Sequence, residues 1–167
     1  MNGKSLLFLC LSFFITTSHA EISASSKTNF TGMITIATCN IVVGDDDQAV
    51  HMGEVSSAEL DARGRSSPIS FTINLYGCNA SDRIARIVFD QVGAGASGSA
   101  IPVQGVRGIA LSLLDGKGAP IYFGRKSGGQ KIITGDNHLL FSAYLVKTGT
   151  IIPGAFSRVL HYTIYYE

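Results

Sequence analysis

Apolar and polar positions alternate along most of this chain, and the alternation is clearest at its end. In residues 156–167, FSRVLHYTIYYE, Phe156, Leu160, Tyr162, Ile164 and Tyr166 share one parity, while Ser157, His161, Thr163 and Tyr165 take the other. Period-two spacing of aromatic and β-branched side chains predicts a strand with one face in a core. No sequence follows to cover its second edge. Unpaired N–H and C=O groups beside an apolar face invite strand addition from another chain.

The same signal recurs upstream. Phe71, Ile73 and Leu75 alternate with Thr72, Asn74 and Tyr76, and further strands are predicted over 30–43, 48–55, 84–92, 109–114 and 139–146. Turn-forming clusters separate them, such as Gly44-Asp45-Asp46-Asp47 and Asp115-Gly116-Lys117-Gly118. Helical periodicity is confined to one short turn at 56–63. Short strands punctuated by Gly, Asn and Asp predict an all-β sandwich. No linker or repeat divides the chain, so one folded domain is expected.

The first twenty residues stand outside that pattern. Lys4 precedes an apolar run over 6–15, and Ser18-His19-Ala20 supplies a small-x-small cleavage site. This reads as a secretory signal, too short to anchor in a bilayer. Leu9, ahead of Cys10, is too bulky for a lipoprotein cleavage site. The chain has 13 basic and 12 acidic residues, and removing Lys4 leaves them balanced. No basic stripe favours nucleic acid. A nearly neutral exported chain associates more readily than it repels. Cys39 and Cys78 remain in an oxidising compartment, where one disulfide is the simplest reading. A metal pair or a reactive thiol are the alternatives, and neither has a His or second Cys at ligand spacing.

Motifs of chemistry are weak. Residues 93–98 satisfy G-x-G-x-x-G, but Pro102 and Gly105 oppose the helix that a dinucleotide site needs, so a surface loop is expected. Residues 124–131 lack the P-loop order. Asp45, Asp46 and Asp47 have neither the Gly nor the distal Glu of a calcium loop and read as a solvated turn. His51, His138 and His161 are scattered, and no G-x-S-x-G elbow is present. Asn29-Phe30-Thr31 and Asn79-Ala80-Ser81 match the short glycosylation sequon. No enzyme, cofactor or metal is expected.

At the other end, Ser26, Thr28, Phe30, Gly32 and Ile34 form a second alternating set. Residues 21–29 are polar and precede the first convincing core strand, so they are dispensable to this chain's own core. Composition alone leaves a disordered tail equally open.

Here a family resemblance enters. Phe30-x-Gly32-x-Ile34 is followed by Cys39. Val50-x-Met52-Gly53-x-Val55 and Phe71-x-Ile73-x-Leu75-x-x-Cys78 come next, and Tyr166 is penultimate. In this order and spacing the chain resembles chaperone–usher pilins of the type 1 and P-pilus kind, over essentially all of residues 21–167. The resemblance implies an incomplete immunoglobulin-like sandwich that lacks its final strand and is completed by donor-strand complementation. It implies an acceptor groove lined by Phe156, Leu160, Tyr162, Ile164 and Tyr166, and a donor face of Ser26, Thr28, Phe30, Gly32 and Ile34. Cys39 and Cys78 would tie the first two core strands. Glu167 would present the terminal carboxylate that a periplasmic pilus chaperone captures.

The organisation so implied is a signal peptide over 1–20, a donor extension over 21–31 and a pilin domain over 32–167. Partners are the chaperone, an outer-membrane usher and neighbouring pilin subunits, with a host receptor as a further possibility. The route runs through the periplasm to the cell-surface fimbrium. The implied function is a structural subunit of an adhesive pilus. Polar Ser26 and Thr28, where family donors are apolar, suit a minor subunit. A single-domain adhesive subunit binding a host receptor and an assembly-terminating minor pilin are the rival readings.

Overall fold

The computed structural model describes residue 29 and residues 38–79, 83–95 and 98–167. The chain divides into two units, Met1–Thr35 and Ile36–Glu167. All the architecture below belongs to the second. The signal segment and the donor positions Ser26, Thr28, Phe30, Gly32 and Ile34 lie outside the described residues.

Among the described residues, eight strands and one short helix follow in the order β1 (Asn40–Ile41), α1 (Ser57–Arg63), β2 (Ile69–Cys78), β3 (Arg83–Phe89), β4 (Ile101–Pro102), β5 (Arg107–Asp115), β6 (Gln130–Ile132), β7 (Gly135–Ile152) and β8 (Tyr162–Tyr166). They make two antiparallel sheets, one ordered β1-β2-β7-β5-β4 and the other β6-β3-β8. This is the expected all-β sandwich.

The long strand β7 organises the larger sheet. Its first part pairs with β2 from Asn137↔Leu75 to Ala143↔Ile69, and it pairs with β5 from Phe141↔Asp115 to Lys147↔Ile109. Its odd-numbered residues Leu139, Phe141, Ala143 and Leu145 are buried, while His138 and Leu140 point outward, as strand alternation requires. Near its end the β5 register shifts between Arg107 and Ile109. Gly108 sits in this bulge at φ +78°, and a Cβ there would collide with the Thr150 carbonyl. Only glycine fits such a place.

Ile73 and Leu75 from β2, and Ala85, Ile87 and Phe89 from β3, close the core. Four rings run through it. Phe71 stacks on Phe141 at 5.7 Å, Phe141 meets Phe89 edge-on at 5.7 Å, and Phe89 packs on Tyr162 at 5.9 Å. The chain of contacts crosses from one sheet to the other and reaches the last strand. Cys39 and Cys78, both buried, form a disulfide that joins the start of β1 to the end of β2. The expected helical turn is α1, capped by the Ser56 side chain, which accepts from the Ala58 N–H, and stopped by Gly64 at φ +71°.

Several elements differ from expectation. The predicted strand over 48–55 does not form: no strand among the described residues pairs with it. Its attachment is through the Gln48 side chain, which donates to the Thr72 carbonyl, and Gly53 turns the backbone to φ +66°. The predicted strand over 156–166 forms a continuous ladder only across β8. Residues 156–161 keep the alternation of exposure with isolated backbone bonds instead: Ser157 exchanges two with Gln104, and the His161 carbonyl accepts from the Asp90 N–H. Within 30–43 the described part contains only β1. The periodic signal is too short to announce β4 and β6, of two and three residues.

Candidate functional site

On β8 one edge pairs with β3, from Tyr162↔Phe89 to Tyr166↔Ala85. Its other edge carries no strand among the described residues. Beside it opens a cavity of about 1310 Å³. Core side chains such as Ile73, Phe89, Leu111 and Leu145 form its floor. One rim is the irregular segment with Val50, Met52 and Val55, and the other is the segment with Phe156 and Leu160. The sandwich core thus backs onto a slot between two rims, and no strand among the described residues bridges them.

The five positions expected to line an acceptor groove all pack against the core as half-buried side chains. Phe156, Leu160 and Tyr162 line the cavity itself. Ile164 and Tyr166 lie further along β8 on the same face, outside its lining. Tyr162 spans the rims, since its hydroxyl donates to the Asp45 carbonyl at 3.1 Å. Burial first, then the negative charges of Asp45 and Asp46, raises its phenol above the ordinary value. Burial alone raises that of Tyr166.

Asp45 and Asp46 serve the turn. Asp45 Oδ2 accepts from the Asn74 N–H at 2.7 Å, and Asp46 Oδ1 accepts from the Gly44 N–H at 2.9 Å. No group of metal-ligating residues is brought together among the described residues. His51, His138 and His161 are exposed and lie on different elements, and the glycines of 93–98 sit in a loop that leads into β4.

Glu167 continues the pairing beyond β8, exchanging two backbone hydrogen bonds of 2.9 Å with Ile84. Its side chain takes an ion pair from Lys126 at 2.5 Å and another from Arg86 at 2.9 Å. These hydrogen bonds, from Lys126 and then Arg86, hold its carboxyl below the ordinary carboxylate value. Lys126 also lies over the Tyr165 ring, 5.1 Å from its centre.

One groove residue escapes a reading based on apolar parity. Arg158 has the parity of Phe156 and Leu160, is half-buried, and lines the cavity. The signal was its even number. Its charge hid it. Val50, Met52 and Val55 on the facing rim were legible as apolar positions, though as a strand rather than as an open lip.

Comparison with known proteins accounts for this architecture. The profile of the fimbrial protein family matches residues 28–167. The Fimbria A protein of Serratia marcescens is 31% identical over 171 aligned positions, covering 99% of this chain and 98% of that protein. The PRS fimbrial major pilin protein of Escherichia coli is 28% identical, covering 89% and 99%. In fold, the chain is similar to the crystal structure of the P pilus rod subunit PapA, with a TM-score of 0.70, 23% identity and coverage of 78% of this chain and 100% of that one. An immunoglobulin-like sandwich with no described strand on the second edge of its last one, matched in sequence over nearly the whole chain, places this protein in the fimbrial protein family of pilus subunits.

Proposed function

We propose that this subunit joins its neighbours by strand addition into the groove beside β8. The observation that carries the reading is the second edge of β8, which no described strand pairs, beside a cavity with an apolar floor. An extended segment laid there would pair with that edge and cover the floor. In this reading residues 1–20 direct export, residues 21–31 form a donor extension, and residues 32–167 form the pilin domain. Ser26, Thr28, Phe30, Gly32 and Ile34 supply the donor face. Phe156, Leu160, Tyr162, Ile164 and Tyr166 form the acceptor face.

A periplasmic chaperone fills the groove first and holds the Glu167 terminal carboxylate. An outer-membrane usher then oversees replacement by a subunit's extension, and the product stands in the cell-surface fimbrium. Ser26 and Thr28 bury less apolar surface than large aliphatic residues, each of which contributes about 1.5–3 kcal/mol when buried. This supports a place in few copies. Deleting residues 21–31 tests the reading. The shortened subunit is expected to co-purify with a chaperone yet fail to present itself to a neighbour, so it is lost from the fibre. Normal incorporation of that variant, or a wild-type mature chain that folds alone as a stable monomer, overturns it.

A further inference from the structure

Residues 157–161 also line a smaller hollow of about 300 Å³. Backbone hydrogen bonds tie its walls together on two sides. Ser157 exchanges two with Gln104, which follows β4, and the Asp90 N–H, just past β3, donates to the His161 carbonyl. Between these ties Arg158 and Val159 line the space. Asp90, Val92 and Gln104 line this hollow and not the main cavity, so a strand laid in the groove leaves that side of it open.

Arg158 is half-buried here. Its Nη2 donates to the Val92 carbonyl, and its Nε is buried without a hydrogen-bond partner. No carboxylate among the described residues forms an ion pair with it, although Asp90 lines the same hollow. A guanidinium drawn partly out of water is costly without a compensating negative charge. Nη1 has no acceptor among the described residues and is not enclosed, so it can meet a charge brought from outside.

The rest of the lining restricts what can bring that charge. Asp90 repels a bare inorganic anion, and an ionised carboxylate only accepts hydrogen bonds. Gln104 and Ser157 add neutral donors and acceptors, and Val92 and Val159, 71% and 76% exposed, add apolar surface. A fitting ligand carries one carboxylate for Arg158, hydroxyl donors for Asp90, and C–H surface for the two valines. Those are the groups of an acidic sugar. The volume stands at the lower end of small-molecule sites, which span about 300–1,000 Å³.

We propose that this hollow binds a saccharide bearing a carboxylate, with Arg158 pairing with the carboxylate through Nη1 and Asp90 accepting from a ring hydroxyl. The subunit then has a ligand-binding role beside its structural one. That role is independent of how neighbouring subunits join.

The test uses fimbriae assembled from the full chain and reads ligand binding by saturation-transfer NMR, with glucuronate as the probe. Glucuronate is expected to bind at least about tenfold more tightly than glucose, which lacks the carboxylate, where tenfold corresponds to about 1.4 kcal/mol. The methyl ester of glucuronate, of the same shape but uncharged, should behave like glucose. Alanine, with a carboxylate and an ammonium but no hydroxyls, should also bind about tenfold more weakly. On Arg158→Gln fibres glucuronate should lose about tenfold, since a hydrogen bond to a charged group is among the strong ones. On Asp90→Asn fibres it should lose about threefold. No glucuronate signal on wild-type fibres overturns the proposal, and so does a signal unchanged by Arg158→Gln, which places binding elsewhere. Alanine binding as tightly as glucuronate makes the ligand a zwitterion and overturns the sugar assignment. If Arg158→Gln does not enter fibres, the ester decides on wild-type fibres alone: binding equal to that of glucuronate overturns the pairing with Arg158.

Discussion

Replacing Leu160 by alanine separates a groove-facing side chain from its immediate neighbour. Leu160 is half-buried on the rim and packs against the core, whereas Val159, one residue earlier, is 76% exposed on the opposite parity. Leu→Ala removes three carbons, and each buried methylene contributes about 0.8 kcal/mol. Since Leu160 is partly covered before any strand arrives, only part of that gain belongs to binding, about 1–2 kcal/mol. The donor peptide of residues 21–35 should therefore bind Leu160→Ala about 5–30-fold more weakly than wild type. Val159→Ala should bind it within about twofold, as expected of a substitution that touches nothing in the groove. Competition against a fluorescent copy of the peptide, on chaperone-released subunit, measures both. Equal weakening by the two substitutions, or by neither, refutes the assignment of this parity to the groove.

Other perturbations follow from the same geometry. Phe141→Ala removes the ring that joins Phe71 to Phe89; it should lower the stability of the strand-filled subunit by about 3–5 kcal/mol in urea denaturation. Reducing the Cys39–Cys78 bridge, or replacing both cysteines by serine, should cost about 4 kcal/mol by the same assay. Glu167→Gln should lower the urea midpoint at neutral pH. The Glu167 carboxyl is held below its ordinary value of 4.5, so its contribution is present above that value and disappears as pH falls through the lowered one. The gap between wild type and Glu167→Gln should therefore close in acid, and a gap that does not narrow as pH falls counts against the ion pairs as its source. Gly108→Ala meets both a left-handed backbone and the Thr150 carbonyl, and should destabilise by more than about 1 kcal/mol.

How far the sequence carries depends on the range of the interaction that decides each element. Alternation in Phe71, Ile73 and Leu75, or in Leu139, Phe141 and Ala143, is set by which face meets the core, and it survives in the fold because nothing else competes. The segment with Val50 and Met52 has the same alternation but no adjacent strand among the described residues, and alternation without a ladder partner leaves a lip. Residues 156–161 show the intermediate case: side chains obey the period while the backbone makes only isolated bonds, at Ser157 and His161, and no continuous ladder. Strands of two or three residues, β4 and β6, exist because neighbours hold them, and carry no period of their own. At the groove, the apolar members Phe156, Leu160 and Tyr162 were legible, and Arg158 was not. A charge on a core-facing parity reads as noise until a buried, unpartnered nitrogen gives it a place.

The pairing of β7 bears on how the subunit reaches its fold. Its partners β2 and β5 both precede it, and β2 lies more than half the sheet-forming chain away. The larger sheet therefore cannot close until the last third of the domain has arrived, and non-local antiparallel pairing of this kind is slow, on the scale of milliseconds to seconds. During that interval β2 and β5 present long apolar faces and open edges in a crowded compartment, where such edges recruit one another. The disulfide between Cys39 and Cys78 closes the β1–β2 loop and shortens neither of these separations. A partner that grips the chain at its last strand would thus act as a folding template as well as a carrier, shortening the time for which β2 and β5 wait.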